Sequence, residues 1–171
     1  MKKCLLILVL SLVLAITWGG EAFPQSQKEI DVSGTNYNSS MQKFFQLDQD
    51  QVIVQFETPG VRINDSGEGL LHGSATHIVG VFYGGKGGAR LRAFETWTDK
   101  DGDKLIWELV EKVTKDLPPG SFSGTAKVFA ATGKFIGYQG TMDWVIQYPK
   151  SFPEGTGRGI CREVVKLIPP N

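Results

Sequence analysis

From Ile30 onward the chain alternates apolar and polar residues with period two, which is the signature of half-buried β-strands. Ile30, Val32 and Gly34 alternate with Asp31, Ser33 and Thr35. Val52, Val54 and Phe56 alternate with Gln51, Gln55 and Glu57. Leu71, Ala75, His77, Val79, Val81 and Tyr83 share one parity of a long segment, and this pattern predicts that they form its inner face. Ala89, Leu91, Ala93, Glu95 and Trp97 form a second such row, and Leu105, Trp107, Leu109 and Val113 a third. Ile136, Tyr138, Met142, Trp144, Ile146 and Tyr148 form another, and Ile160 to Ile168 close the series with Cys161, Glu163, Val165 and Leu167 on one parity. Met41 to Asp48 is the one stretch that predicts a short helix. With the segment around Gly124 to Thr132, the pattern predicts about eight strands and an all-β chain.

One hairpin can be placed in register from its turn. Lys100-Asp101-Gly102 reads as a three-residue loop with Gly102 in the left-handed position. Trp97 then faces Leu105, Glu95 faces Trp107, and Ala93 faces Leu109, so apolar positions meet throughout. A slip of one residue would pair the buried face with the wet one. Long arms and many strands favour a single closed antiparallel barrel, which leaves no edge exposed.

Composition agrees with such a fold and narrows the function. The 171 residues carry 18 Lys+Arg and 18 Asp+Glu, so neither a basic nucleic-acid coat nor an acidic disordered tail is expected. Glycine occurs 21 times without a collagen period, in keeping with many tight turns. No repeat or linker divides the chain.

The first residues read as an export signal. Lys2 and Lys3 precede an apolar run from Leu5 to Thr17, and Gly20 and Ala22 supply small residues before a cut at Phe23. Residues 1–22 are therefore expected to leave and residues 23–171 to form the barrel domain. The run is too short to cross a bilayer comfortably, so no stable membrane anchor is expected once it is cleaved; an uncleaved anchor is the alternative. Cys4 lies before the apolar run, where lipid attachment is not expected, and cleavage would leave Cys161 as the sole cysteine, a small buried residue without a disulfide partner. The short Lys-Lys leader points to a bacterial protein that is secreted or periplasmic.

The stretch Gly124-Thr125-Ala126-Lys127-Val128-Phe129-Ala130-Ala131-Thr132-Gly133-Lys134-Phe135-Ile136-Gly137-Tyr138-Gln139-Gly140 resembles a signature of the allene-oxide-cyclase-like barrel group. That group includes plant allene oxide cyclases, dirigent proteins and uncharacterised bacterial secreted proteins. Thr96 to Asp103 resembles the acidic hairpin turn of its bacterial members, and the likeness runs from about Leu70 to Trp144. It implies an eight-stranded antiparallel barrel with a central cavity, and a homo-oligomer, since members often form dimers or trimers. It carries no catalytic residue across.

Several motifs look like chemistry and are better read as structure. Asp99, Asp101 and Asp103 alternate as calcium ligands do, but Lys104 stands where an EF-hand loop needs glycine. Gly80 to Lys86 spells G-x-x-x-x-G-K, yet Gly87 follows where Ser or Thr would hold magnesium, and another strand comes next instead of a helix. His72 and His77 fall on opposite faces of a regular strand. No cysteine–histidine spacing suggests zinc and no G-x-S-x-G elbow is present. No metal or organic cofactor is expected, and no nucleic-acid partner.

What stands out is polarity on apolar rows. Glu95 shares its row with Leu91, Ala93 and Trp97, His77 lies beside Val79 and Val81, and Glu163 lies beside Cys161 and Val165. A carboxyl in an apolar lumen acquires a raised pKa, which is how general acids and bases are made; a structural pairing of Glu95 with an arginine is the alternative. The leading reading is an exported barrel that binds a small hydrophobic molecule, with Trp97, Trp107, Tyr138, Trp144 and Glu163 as binding residues. The second is a cyclase or isomerase acting on a hydrophobic substrate, with Glu95 and His77 as its candidate catalytic residues. The third is a structural or interaction barrel whose core is filled with side chains.

Overall fold

The computed structural model describes residues 28–85, 88–111, 117, 121–148 and 156–171. The leader expected at residues 1–22 lies outside them, as do Lys86, Gly87 and Val113. Among the described residues nine strands run in chain order: β1 Ile30–Asp31, β2 Gly34–Asp48, β3 Gln51–Asn64, β4 Ala75–Gly85, β5 Gly88–Thr98, β6 Lys104–Glu111, β7 Ser121–Ala131, β8 Gln139–Gln147 and β9 Thr156–Ile168. Each strand from β2 to β8 pairs antiparallel with the next, and β9 pairs with both β8 and β2. The result is a closed eight-stranded meander. The ninth strand, β1, extends the β2 side along the far end of β9, with Ile30 opposite Leu167.

The β5–β6 hairpin has the register its turn dictates. Trp97 faces Leu105, Glu95 faces Trp107 and Ala93 faces Leu109, while Gly102 sits at φ +87°. At β4–β5, Gly85 faces Gly88, so the glycine-rich segment that mimics a phosphate loop joins two antiparallel strands.

Two expectations are corrected. Met41 to Asp48 is not a helix. It continues β2, because Phe44 and Phe45 pair with Val54 and Ile53 of β3 and long-range pairing overrides weak local preference. In β4 the inner face is the opposite parity: Thr76, Ile78 and Gly80 point inward, and His77, Val79 and Tyr83 point out. The barrel is too narrow for a side chain at position 80, since a Cβ there would lie 2.5 Å from the Ala93 Cβ and 2.6 Å from the Phe56 ring. The residue that fits is glycine, which hides the inner face from a hydrophobicity pattern. Leu71 lies outside this strand, in the turn before it, at φ +64°.

The lumen has two ends. One is packed solid by Trp97, Trp107, Leu105, Met142, Val165 and Leu167, all at most 1% exposed. Phe135, from a 3₁₀ turn at Gly133–Phe135, is fully buried there and meets the Tyr138 ring at 5.7 Å. That turn is clipped to the β5–β6 loop: Lys134 Nζ bonds Asp101 at 2.7 Å and also contacts Asp99. The alternating aspartates thus carry a lysine. Ile136, expected on the inner row of β8, is instead 65% exposed, because this turn occupies the segment and β8 starts only at Gln139.

Two glycines separate turn geometry from packing. Gly102 has a left-handed φ and open space around it. A Cβ at Gly124 would collide with the Val110 carbonyl oxygen and the Trp144 indole. Gly102→Ala is expected to cost about 1 kcal/mol through its φ alone, whereas Gly124→Ala should cost about 3 kcal/mol or more through overpacking. Urea unfolding of both variants checks this, and the reverse order would refute the close-packing account of β7.

Candidate functional site

The other end of the lumen is hollow. Its cavity has a volume of about 510 Å³ and takes its walls from the inner faces of all eight barrel strands. The lip is aromatic, with Phe44 on β2, Phe82 on β4, Phe122 on β7 and Tyr148 after β8. Below it lie Phe56, Leu91, Leu109 and Ile146. Small residues leave the space open, notably Ala93 on β5 and Gly157 on β9. The deepest layer includes Thr58, Ile78, Cys161, Trp144 and Glu95. Burial pushes the Cys161 thiol well above its ordinary range, so it stays a neutral, unreactive part of the wall.

Glu95 is the one carboxyl among the described residues that line this cavity, and it is 2% exposed. Its row on β5 is inward-facing for the reason already visible in the hairpin register: Ala93, Glu95 and Trp97 oppose Leu109, Trp107 and Leu105. Asn36 Nδ2 donates to Glu95 Oε1 at 2.8 Å, and Thr76 Oγ1 donates to Asn36 Oδ1 at 3.0 Å. A Cβ at Gly60 would come within 2.6 Å of Asn36 Oδ1, so that glycine is what admits the amide.

Behind this floor lies a buried charge layer. Arg62 on β3 is fully buried, and its Nε donates to Glu163 Oε2 on β9 at 2.8 Å. Its Nη1 bonds Asn64 Oδ1 and its Nη2 bonds the Val32 carbonyl, while the guanidinium lies 4.3 Å from the centroid of the Trp97 ring. One guanidinium therefore faces two buried carboxyls. Burial pushes Glu95 up to about 7, against the pull of the Trp97 indole, the Arg62 charge and the Asn36 amide. Glu163 is raised as well, by burial and by its repulsion from Glu95, against the attraction of Arg62. Arg62 balances one negative charge, and burial pushes both carboxyls toward their protonated forms.

The residues singled out from the sequence separate into three places. Glu95 and Trp144 line the cavity. Trp97, Trp107 and Glu163 do not; they belong to the packed layer beneath it. Tyr138 sits at the closed end against Phe135, away from the cavity. His77 is outside the barrel, where Nε2 lies 2.8 Å from Glu57 on the surface, so it cannot assist Glu95. His72 accepts from the Asn64 backbone N–H at 3.3 Å in the turn before β4. Among the described residues, no group of three His, Cys, Asp or Glu is placed to hold a metal ion.

Sequence reasoning missed Arg62, Asn36 and the aromatic lip. Arg62 sits on the inner row of β3 with Thr58, Gly60 and Asn64, and Asn36 on that of β2 with Gly34, Asn38 and Ser40. These stretches are polar or small; on β3 the apolar part of the row, Val52 to Phe56, stops short of them, so hydrophobic alternation does not carry the inner face as far as Arg62.

No family model and no curated protein matches the sequence. Among solved structures, the pterocarpan synthase dirigent protein GePTS1 superposes with a TM-score of 0.50 over 83% of this chain and 93% of its own, at 11% identity. The fold is that of a dirigent-like barrel. At that identity the likeness speaks for the fold alone.

The raised Glu95 sets a pH dependence. A carboxyl held at about 7 in the folded chain and near 4.5 when unfolded binds more protons when folded between those values. Its contribution to stability is fully present below about 4.5 and is lost as pH rises through about 7, a change of roughly 3 kcal/mol. Glu95→Gln should remove this share of the slope and leave only what the raised Glu163 contributes. Urea unfolding of both proteins from about pH 5 to pH 8 is the check, and parallel stability curves would sink the assignment.

Proposed function

We propose that this chain is an exported, bacterial, allene-oxide-cyclase-like barrel that holds a small hydrophobic molecule in the open end of its lumen. The observation that carries this is the 510 Å³ cavity itself, walled by aromatic and aliphatic side chains and holding one buried carboxyl at its floor. Sites for small apolar molecules have this make-up: mostly apolar walls with a few polar groups that fix orientation. The leader-like pattern of residues 1–22 supports export. The interaction-barrel reading has less to recommend it, because only half of the lumen is filled. Self-association is compatible with the row of Ile160, Tyr37 and Val61 across β9, β2 and β3, each about half exposed on the outer wall.

A second reading is favoured by one specific observation. Glu95, pushed up to about 7, has the proton affinity of an acid–base catalyst at neutral pH. The dirigent neighbour is called a pterocarpan synthase, so a barrel of this fold carries an enzyme's name elsewhere. An isomerase or cyclase would use Glu95 alone, with the aromatic walls shaping the substrate and Asn36 orienting the carboxyl.

Native mass spectrometry of the purified protein should show a bound hydrophobic molecule or uptake of one from a panel of fatty acids and terpenoids. Trp144 lines the cavity while Trp97 and Trp107 do not, so Trp144→Phe should abolish the ligand-induced fluorescence change and leave binding intact. Leu91→Trp, which fills the cavity above the floor, should abolish binding itself. A bare protein that takes up nothing would overturn the carrier reading. For the enzymatic reading, Glu95→Gln should lower turnover by about 100-fold or more, and unchanged turnover would remove Glu95 from the chemistry.

A further inference from the structure

The cavity floor has an unmet ionic demand. Arg62 is the only buried cation among the described residues, and each of its three guanidinium nitrogens is already engaged, by Glu163, Asn64 and the Val32 carbonyl. None of these three bonds goes to Glu95. The groups around Glu95 supply no other cation. Asn36 on β2 offers a neutral amide, Ile78 on β4 and Trp107 on β6 are its cross-strand neighbours, and β9 brings Cys161 and a second carboxyl, Glu163. No Lys, Arg or His is among the described residues lining the cavity. Glu95 thus faces an apolar hollow with no counter-ion of its own. A buried carboxylate in that position must either keep its proton or receive a cation from what enters the cavity.

We propose that the molecule this cavity selects is an apolar amine, seated with its ammonium group on Glu95 and its hydrocarbon body against the aromatic walls. The inference rests on the ligand-binding reading above and narrows it to one chemical class. An ammonium supplies the missing charge and forms charge-assisted hydrogen bonds to the carboxylate. Phe56 and Trp144 line the same cavity below its lip and offer aromatic rings for cation–π attraction. An alcohol of the same shape gives Glu95 a hydrogen bond but no charge. A carboxylic acid of the same shape would place a third carboxyl beside Glu95 and Glu163. When the amine binds below neutrality, its ammonium takes the place of the carboxyl proton, which leaves to solvent; the ammonium keeps its own protons, so one proton is released per molecule bound.

The test uses three probes on one skeleton: 2-(1-naphthyl)ethylamine, 2-(1-naphthyl)ethanol and 1-naphthylacetic acid. Calorimetry near pH 6 in buffers of different ionisation enthalpy reads affinity and proton release together. The amine is expected to bind about tenfold or more tighter than the alcohol, with a proton released. Release should vanish by about pH 8.5, and amine affinity should rise as pH climbs through about 7. Glu95→Gln should erase both the preference and the release while leaving alcohol binding in place. Leu91→Trp retains Glu95 and should exclude amine and alcohol alike, which ties the effect to the cavity. Equal binding of amine and alcohol, or amine binding without proton release, would overturn the amine assignment and leave the apolar-cavity reading standing. Binding of none of the three, with none of the fatty acids or terpenoids taken up either, would overturn both.

Discussion

The buried guanidinium of Arg62 is the constraint around which this barrel is arranged. A cation taken wholly out of water is tolerated only when its donors are engaged and its charge is opposed. Here the opposing carboxyl, Glu163, comes from β9, and the remaining acceptors come from Asn64 on the same strand and from the Val32 carbonyl between β1 and β2. The pair therefore ties β3 to β9, the strand that closes the barrel against both β2 and β8. Trp97 of β5 lies under the guanidinium plane, so a fourth element is fixed by the same group. A barrel filled with aliphatic side chains would close as well. It would not, however, place a charged layer immediately behind the floor of the cavity.

The width of the lumen then decides which residues can face it. Eight strands leave room for large side chains only where their neighbours across the barrel are small. At the closed end the indoles of Trp97 and Trp107 meet at 5.0 Å, tilted by 55°, and fill the cross-section with Leu105, Met142 and Val165. Toward the open end Ala93 and Gly157 leave the space unfilled, while Gly80 and Gly124 give theirs to neighbouring rings. Gly124 in particular yields its space to the Trp144 ring, which reaches the cavity wall. Closed half and open half thus follow from one gradient of side-chain volume along the strands.

How much of this was legible in the sequence depends on how local the cause is. The β5–β6 hairpin was readable residue by residue, because a three-residue turn with glycine in the left-handed position fixes the register of everything beyond it. Glu95 was readable for the same reason: it interrupts a row whose other members are apolar and whose orientation the turn had fixed. The parity of β4 was not readable, since its inner face is held by Thr76, Ile78 and Gly80 and its outer face by Val79, Val81 and Tyr83, which look more hydrophobic. That assignment also put His77 inside, where it is not. The strand from Met41 to Asp48 was hidden because its pairing partner starts beyond the turn and nothing within the segment announces it. Arg62 was the least visible of all. A lone arginine among threonine, glycine and asparagine looks like the wet face of a strand, and only the three-dimensional meeting with Glu163 reveals it as core.

The position of Glu95 follows from these two influences meeting at one level of the barrel. Below it the packing is dense and dry, and the charge of Arg62 is already opposed; above it the lumen is open and apolar. A carboxyl one layer lower would have been buried among side chains with no route for a ligand, as Glu163 is. A carboxyl one layer higher would have reached water at the lip and kept an ordinary acidity. At the boundary it is dry enough for its proton affinity to rise toward neutrality, yet it forms part of a surface that another molecule can touch. Its chemistry is therefore set by the layer behind it, through Arg62, Glu163 and Asn36, while the shape of whatever it meets is set by the aromatic lip in front. The two can vary separately: exchanges among Phe44, Phe82, Phe122 and Tyr148 alter which body fits, whereas loss of Arg62 or Asn36 alters whether Glu95 holds a proton.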